Sequence, residues 1–147
     1  MEKQRRKIAL DVGDKTIGIA LSDELGITAQ GLMTYERQSI KKDTNKIVEL
    51  VKEYDCDTVV IGLPINLDGS DSIQTEKVRA FRQKLENKFK STGSGLQNVV
   101  FDWEDERYST VIAEEVLIAA NLSREERKKV IDKQAAVVIL QGYLDRK

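Results

Sequence analysis

Apolar positions fall into short runs early in the chain and into longer periodic stretches later. Ile8-Ala9-Leu10-Asp11-Val12-Gly13 reads as a short buried strand ending in an acid and a glycine. Ile17-Gly18-Ile19-Ala20-Leu21-Ser22 follows as a second strand, with residues 13–16 supplying a hairpin turn. A weaker third strand is expected from about Thr28 to Tyr35. Between Lys42 and Tyr54 the apolar positions Ile47, Leu50, Val51 and Tyr54 recur at helical spacing, which predicts an amphipathic helix closing over a sheet. Thr58-Val59-Val60-Ile61-Gly62-Leu63 is a β-branched run of the kind found in strands covered on both faces, and it stops at Pro64.

Residues 62–72 hold the single proline together with Asn66, Asp68, Gly69, Ser70 and Asp71, and read as a polar loop. A helix is expected from about Ile73 to Lys90, with Val78, Phe81, Leu85 and Phe89 on one face. Ser91-Thr92-Gly93-Ser94-Gly95 breaks it. Val99-Val100-Phe101 makes the next strand, which ends in the acidic run Asp102, Glu104, Asp105 and Glu106. Two helices finish the chain. One lies around Val111 to Ala120; the second is introduced by Ser123 with Glu126 three residues on, a capping-box pattern, and ends in the apolar segment Lys133 to Leu144. Strands first and strand-helix alternation later give the order β-β-β-α-β-α-β-α-α. That order predicts an α/β fold, a mixed five-stranded sheet flanked by helices, in one domain spanning 1–147.

Composition narrows the chemistry. The 147 residues are 40% hydrophobic and 33% charged, as in an ordinary folded soluble domain. Lys and Arg number 24 against 25 Asp and Glu, so no global field draws the chain to nucleic acid or to an anionic membrane, and any basic surface is local. The absence of histidine removes imidazole bases, His-paired nucleophiles and His metal ligands. The lone Cys56 forms no internal disulfide and builds no Cys-rich metal site, which fits a reducing compartment and a cytoplasmic protein. The basic N-terminus precedes an apolar run broken by Asp11, Asp14 and Lys15, so no signal peptide is read there, and no stretch reaches the ~20 apolar residues of a membrane helix.

Three acids stand at the edges of apolar elements: Asp11 at the end of the first strand, Glu106 just beyond the last, and Asp132 between Val130-Ile131 and Ala135-Ala136. Carboxylates in such settings are paired or bound to a cation. Brought to one sheet edge, all three would suit a hard divalent ion, Mg²⁺ or Mn²⁺, and metal-dependent phosphodiester hydrolysis. Singly, each has a plainer reading: Asp11 capping a turn, Glu106 pairing with Arg107, Asp132 capping a helix. Together in an apolar setting they favour the site. Asp11 to Gly18 also resembles the acid-Gly hairpins that cradle nucleotide phosphate in actin-like ATPases, but those clamp the nucleotide between two lobes and this chain has room for one. Arg124, Arg127, Lys128, Lys129 and Lys133 cluster beside Asp132, and would either neutralise phosphates or form a solvated helix face balanced by Glu125 and Glu126. Tyr108 offers a stacking surface, Trp103 reads as core, and Ser109 and Thr110 either cap the next helix or contact a phosphate.

The segments DVGDKTIGIALSD (Asp11 to Asp23), TAQG (Thr28 to Gly31), VVIGLPINLDGS (Val59 to Ser70), DERYST (Asp105 to Thr110) and KKVIDKQAAVVILQGYLD (Lys128 to Asp145) span nearly the whole chain. In that order they resemble the YqgF/RuvX family of Holliday junction resolvases with an RNase H-like fold. The resemblance implies a cytoplasmic bacterial nuclease that matures the 5′ end of the 16S ribosomal RNA precursor, with metal at an acidic triad that falls on Asp11, Glu106 and Asp132. The choice between Asp105 and Glu106 depends on strand register. Lys15, Asn66 and Arg107 match family polar positions placed around the substrate. Tyr108 and Ser109 depart from the usual Leu and Thr, Ile65 occupies a position often basic or polar, and Asp71 adds charge that phosphate would not welcome.

The expected partner is therefore structured nucleic acid, an rRNA precursor or branched DNA, with the protein a monomer or homodimer and no membrane involved. A junction resolvase would be a two-fold dimer. A non-catalytic RNA-binding module and a small ATPase relative are the readings from other classes.

Overall fold

The computed structural model describes residues 5–66, 68–105 and 123–146, with the side chains of residues 125, 127–129 and 132 left aside. Its elements are β1 (Arg6–Val12), β2 (Thr16–Ser22), β3 (Ala29–Glu36), α1 (Ile40–Glu53), β4 (Cys56–Leu63), α2 (Ile73–Thr92), a 3₁₀ turn (Leu96–Asn98), β5 (Val100–Asp105) and α3 (Arg124–Asp145). One five-stranded sheet has the order β3-β2-β1-β4-β5. β1, β2 and β3 pair antiparallel as a meander, whereas β1, β4 and β5 run parallel. Parallel neighbours need crossovers, and α1 and α2 lie between them in the chain. The C-terminal ends of β1, β4 and β5 therefore share one edge.

Side-chain alternation divides the sheet. Ile8, Leu10 and Val12 of β1, Ile17, Ile19 and Leu21 of β2, and Val59 and Ile61 of β4 pack with Ile47, Leu50 and Val51 of α1 and with Val78, Phe81, Leu85 and Phe89 of α2. The intervening positions Ala9, Ala20 and Val60 pack against Ala136, Ile139, Leu140, Tyr143 and Leu144 of α3. Each of these described helices begins on a hydroxyl cap. Ser39 Oγ accepts the Lys42 N–H at the start of α1, Ser72 and Thr75 form a reciprocal capping box on α2, and Ser123 Oγ accepts the Glu126 N–H on α3. α2 stops at Gly93, whose φ of 70° needs a residue without a side chain.

Two features differ from the periodicity alone. β5 continues through the acids to Asp105, with Phe101 and Trp103 against the larger core and Asp102 and Glu104 on the alternate positions. β3 carries a bulge: Ile19 faces Met33 while Ala20 faces Gly31, so Leu32 is the extra residue. Trp103 is partly buried beneath the Arg82 guanidinium, which lies 4.5 Å from its ring centroid, so its role is packing, as expected.

Candidate active site

Asp11 is the fourth strand position after Lys7 and shares the parity of Ala9, so it belongs to the α3 side of the sheet near the edge where the parallel strands end. Leu10 pairs with Ile61, which sets Asp11 beside Gly62, and Gly62 pairs in turn with Glu104. A row of acid, glycine and acid thus crosses three strands. The glycine puts no side chain between the two carboxylate-bearing positions.

Glu104 is 5% exposed, an uncommon setting for a carboxylate. Its Oε1 is ion-paired with the Arg146 guanidinium just past α3 but makes no hydrogen bond of regular geometry, and a Cβ built at Gly142 would stand 3.1 Å from its Oε2. Two residues earlier, Asp102 accepts a hydrogen bond from the Tyr143 hydroxyl. Burial, with help from that carboxylate, pushes the Tyr143 hydroxyl well above the ordinary tyrosine range. The C-terminal turn of α3 is therefore fastened to β5 through acids on the Asp11 side of the sheet.

Asp132 lies in α3, four residues before Ala136, which is fully buried against the sheet. Arg127 and Lys128 belong to the first turns of the same helix. Glu106, Arg107 and Thr110, with Tyr108, Ser109 and the helix expected around 111–120, lie outside the described residues. Among the described residues, no three carboxylate or thiol groups gather as a metal site, and of the expected triad only the Asp11 side chain is among them.

Lys15 is exposed in the β1–β2 turn. Asn66 sits in the loop after β4, where its side-chain amide donates to Ser70 Oγ at 3.0 Å and its backbone N–H to the Ser70 carbonyl at 2.8 Å. Asn66 thereby shapes the loop. The Ser70 hydroxyl, donating to Asp68 at 2.6 Å, holds the Asp68 carboxyl below the usual carboxylate range. Asp71 is drawn down in the same way by the Arg79 guanidinium at 2.6 Å, so its charge is directed onto α2.

Sequence reasoning names Asp102 and Glu104 only as part of an acidic run and passes over Arg37. For the first two a signal exists: Phe101-Asp102-Trp103-Glu104 alternates apolar and acid with the period of a strand. Arg37 lies in the connection to α1, and its partners are visible only in three dimensions.

A family model described as RuvX, Holliday junction resolvase, matches residues 5–146. The chain belongs to that family. Among relatives of this RuvX chain, a protein of Desulforamulus reducens named "Putative pre-16S rRNA nuclease" is 51% identical over 140 residues, 95% of this chain and 96% of the relative. Two solved structures share the architecture. T. thermophilus RuvC in complex with Holliday junction substrate aligns at TM-score 0.58 with 10% identity, covering 96% of this chain and 94% of that one. Fowlpox virus resolvase with substrate Holliday junction DNA aligns at TM-score 0.57 with 11% identity, covering 96% and 97%. The expected mixed sheet and RNase H-like fold are those of this RuvX chain. No helix among the described residues is long and apolar enough to cross a membrane.

Proposed function

We propose that this protein is a metal-dependent nuclease that hydrolyses phosphodiester bonds in the 5′ region of the 16S rRNA precursor, working in the cytoplasm as a single domain. The observation that carries this reading is the half-identical relative of that name, matched over 95% of a chain whose Asp11 stands at the edge where three parallel strands terminate. A donor set of carboxylates without histidine suits Mg²⁺ or Mn²⁺, and Glu104, buried on the Asp11 side and ion-paired with Arg146, places a further carboxylate on this face. Asp11, Glu106 and Asp132 would hold the ion, which when bound supplies charge neutralisation at the scissile phosphate and a more acidic water. Lys15 in the β1–β2 turn and Arg107, Thr110, Arg127 and Lys128 around the acids would bind the flanking phosphates. Asn66 contributes through the shape of its loop.

The family description favours a second substrate, the four-way DNA junction. The test is cleavage by wild-type protein and Asp11→Asn, side by side, on a precursor 5′ fragment and a synthetic four-way junction, with Mg²⁺ or with chelator. Wild-type protein with Mg²⁺ is expected to cut the RNA, and Asp11→Asn to fall to the level of the chelator control. Preferential cutting of the junction transfers the reading to resolution; binding without cutting of either transfers it to a non-catalytic module.

A further inference from the structure

The β1–β2 turn next to Asp11 is held by groups that have no part in the acid site. Arg37 Nη1 donates to the Gly13 carbonyl at 2.8 Å, and the Arg37 backbone N–H donates to the Lys15 carbonyl at 2.8 Å. Gln74, in the first turn of α2, donates to the Val12 carbonyl at 3.1 Å, and Lys77 donates to the Asp14 carboxylate at 3.2 Å. Arg37 is itself fixed. Its Nε donates to Asp43 Oδ2 at 2.9 Å, its guanidinium stands 5.1 Å from the Phe81 ring centroid, and Asp43 is 1% exposed while also accepting the Gln38 N–H at 2.9 Å.

The three side-chain contacts, from Arg37, Gln74 and Lys77, draw oxygen atoms of the turn toward the side of α1 and α2, while the Arg37 backbone N–H extends the β2–β3 ladder by one bond. A trans peptide sets its C=O and N–H antiparallel, so fixing the Gly13 carbonyl on Arg37 directs the Asp14 N–H away from the guanidinium. Lys77 draws the Asp14 carboxylate toward α2 as well. What the turn then offers to an approaching ligand is a backbone N–H and the exposed Lys15 ammonium, the donor set of an anion site. Gly13 keeps the turn tight enough for this: its N–H donates to the Thr16 carbonyl at 2.8 Å, and a Cβ there would lie 3.1 Å from the same oxygen.

We propose that Arg37 is a positioning residue that, with Gln74 and Lys77, orients the Gly13–Asp14 peptide so that the Asp14 N–H and Lys15 dock a substrate phosphate beside Asp11. The inference rests on the nuclease reading of that edge, but its test does not require cleavage. The amides of Asp14 and Lys15 are followed by NMR in ¹⁵N-labelled protein titrated with a 5′-phosphorylated RNA dinucleotide in chelator. Both resonances shift saturably in wild-type protein. In Arg37→Lys, whose ammonium keeps the charge opposite Asp43 but lacks the fork that spans Asp43 and the Gly13 carbonyl, the apparent Kd rises about tenfold while the spectrum stays dispersed. An Asp14 amide that does not move in wild-type protein overturns the proposal, as does an unchanged Kd in Arg37→Lys. Should Arg37→Lys not fold, Gln74→Met releases the Val12 carbonyl instead, and a Kd unchanged there also overturns it. A protein that shifts at Asp14 yet cuts no RNA loses the nuclease reading and keeps the phosphate site.

Discussion

Toward α1 and α2 strands β1, β2 and β4 present Ile8, Leu10, Ile17, Ile19 and Ile61; toward α3 they present Ala9, Asp11, Gly18, Ala20, Val60 and Gly62, and β5 adds Asp102 and Glu104. The first face buries volume, and each large aliphatic side chain there contributes about 1.5–3 kcal/mol by leaving water. The second face trades volume for proximity. Alanines and glycines on both sheet and helix let α3 lie close, and the room saved goes to charged groups that a face packed with isoleucine could not accommodate. On the nuclease reading proposed above, the larger core and the candidate chemistry fall on opposite sides of one sheet.

Three changes test that division. The largest effect is expected from Phe89→Ala, which removes a fully buried ring stacked edge-on at 5.1 Å from Phe101. Urea denaturation should show a loss of about 4 kcal/mol, with cleavage per folded molecule nearly unchanged. Ala136→Leu on the opposite face should cost about 2 kcal/mol by overpacking against Ala9, Ala20 and Val60. Its cleavage per folded molecule should fall much further than that of Phe89→Ala, since α3 carries Asp132; equal losses in the two variants would erase the distinction between the faces. The smallest effect is a pH dependence confined to the larger core. Burial pushes the Cys56 thiol up from 9.0 to about 12. The folded state therefore holds a proton that the unfolded state releases above pH 9, and stability present below pH 9 is lost as pH rises toward 12, by about 1.4 kcal/mol per pH unit. Between pH 9 and 10, below the range of the raised tyrosines Tyr35 and Tyr143, Cys56→Ala should flatten that slope in denaturation measured across the interval.

The larger core is written plainly in the sequence, because Ile8, Leu10, Ile17, Ile19, Val59 and Ile61 alternate within their strands and Val78, Phe81, Leu85 and Phe89 recur at helical spacing. Hydrophobic period reports the face that excludes water. The α3 side was harder to read for the reason that makes it useful: small residues leave a weak signal, and acids suggest solvent. Asp102 and Glu104 are strand residues held by Tyr143 and Arg146, partners about forty positions away that no local pattern indicates. Asp43 likewise reads as a solvated helical acid until Arg37 is placed against it. Asp11 was legible because it interrupts an apolar run.

The bulge at Leu32 has a consequence for life in a crowded solution. Among the described strands β3 is an outermost one of eight residues, and the stretch Ala29 to Tyr35 carries no charge and no proline to discourage another chain from adding to the sheet. The extra residue interrupts the regular ladder and twists the strand out of the flat register that a recruited strand would need. Leu32 thereby breaks the evenly spaced ladder on which edge-to-edge pairing of sheets depends.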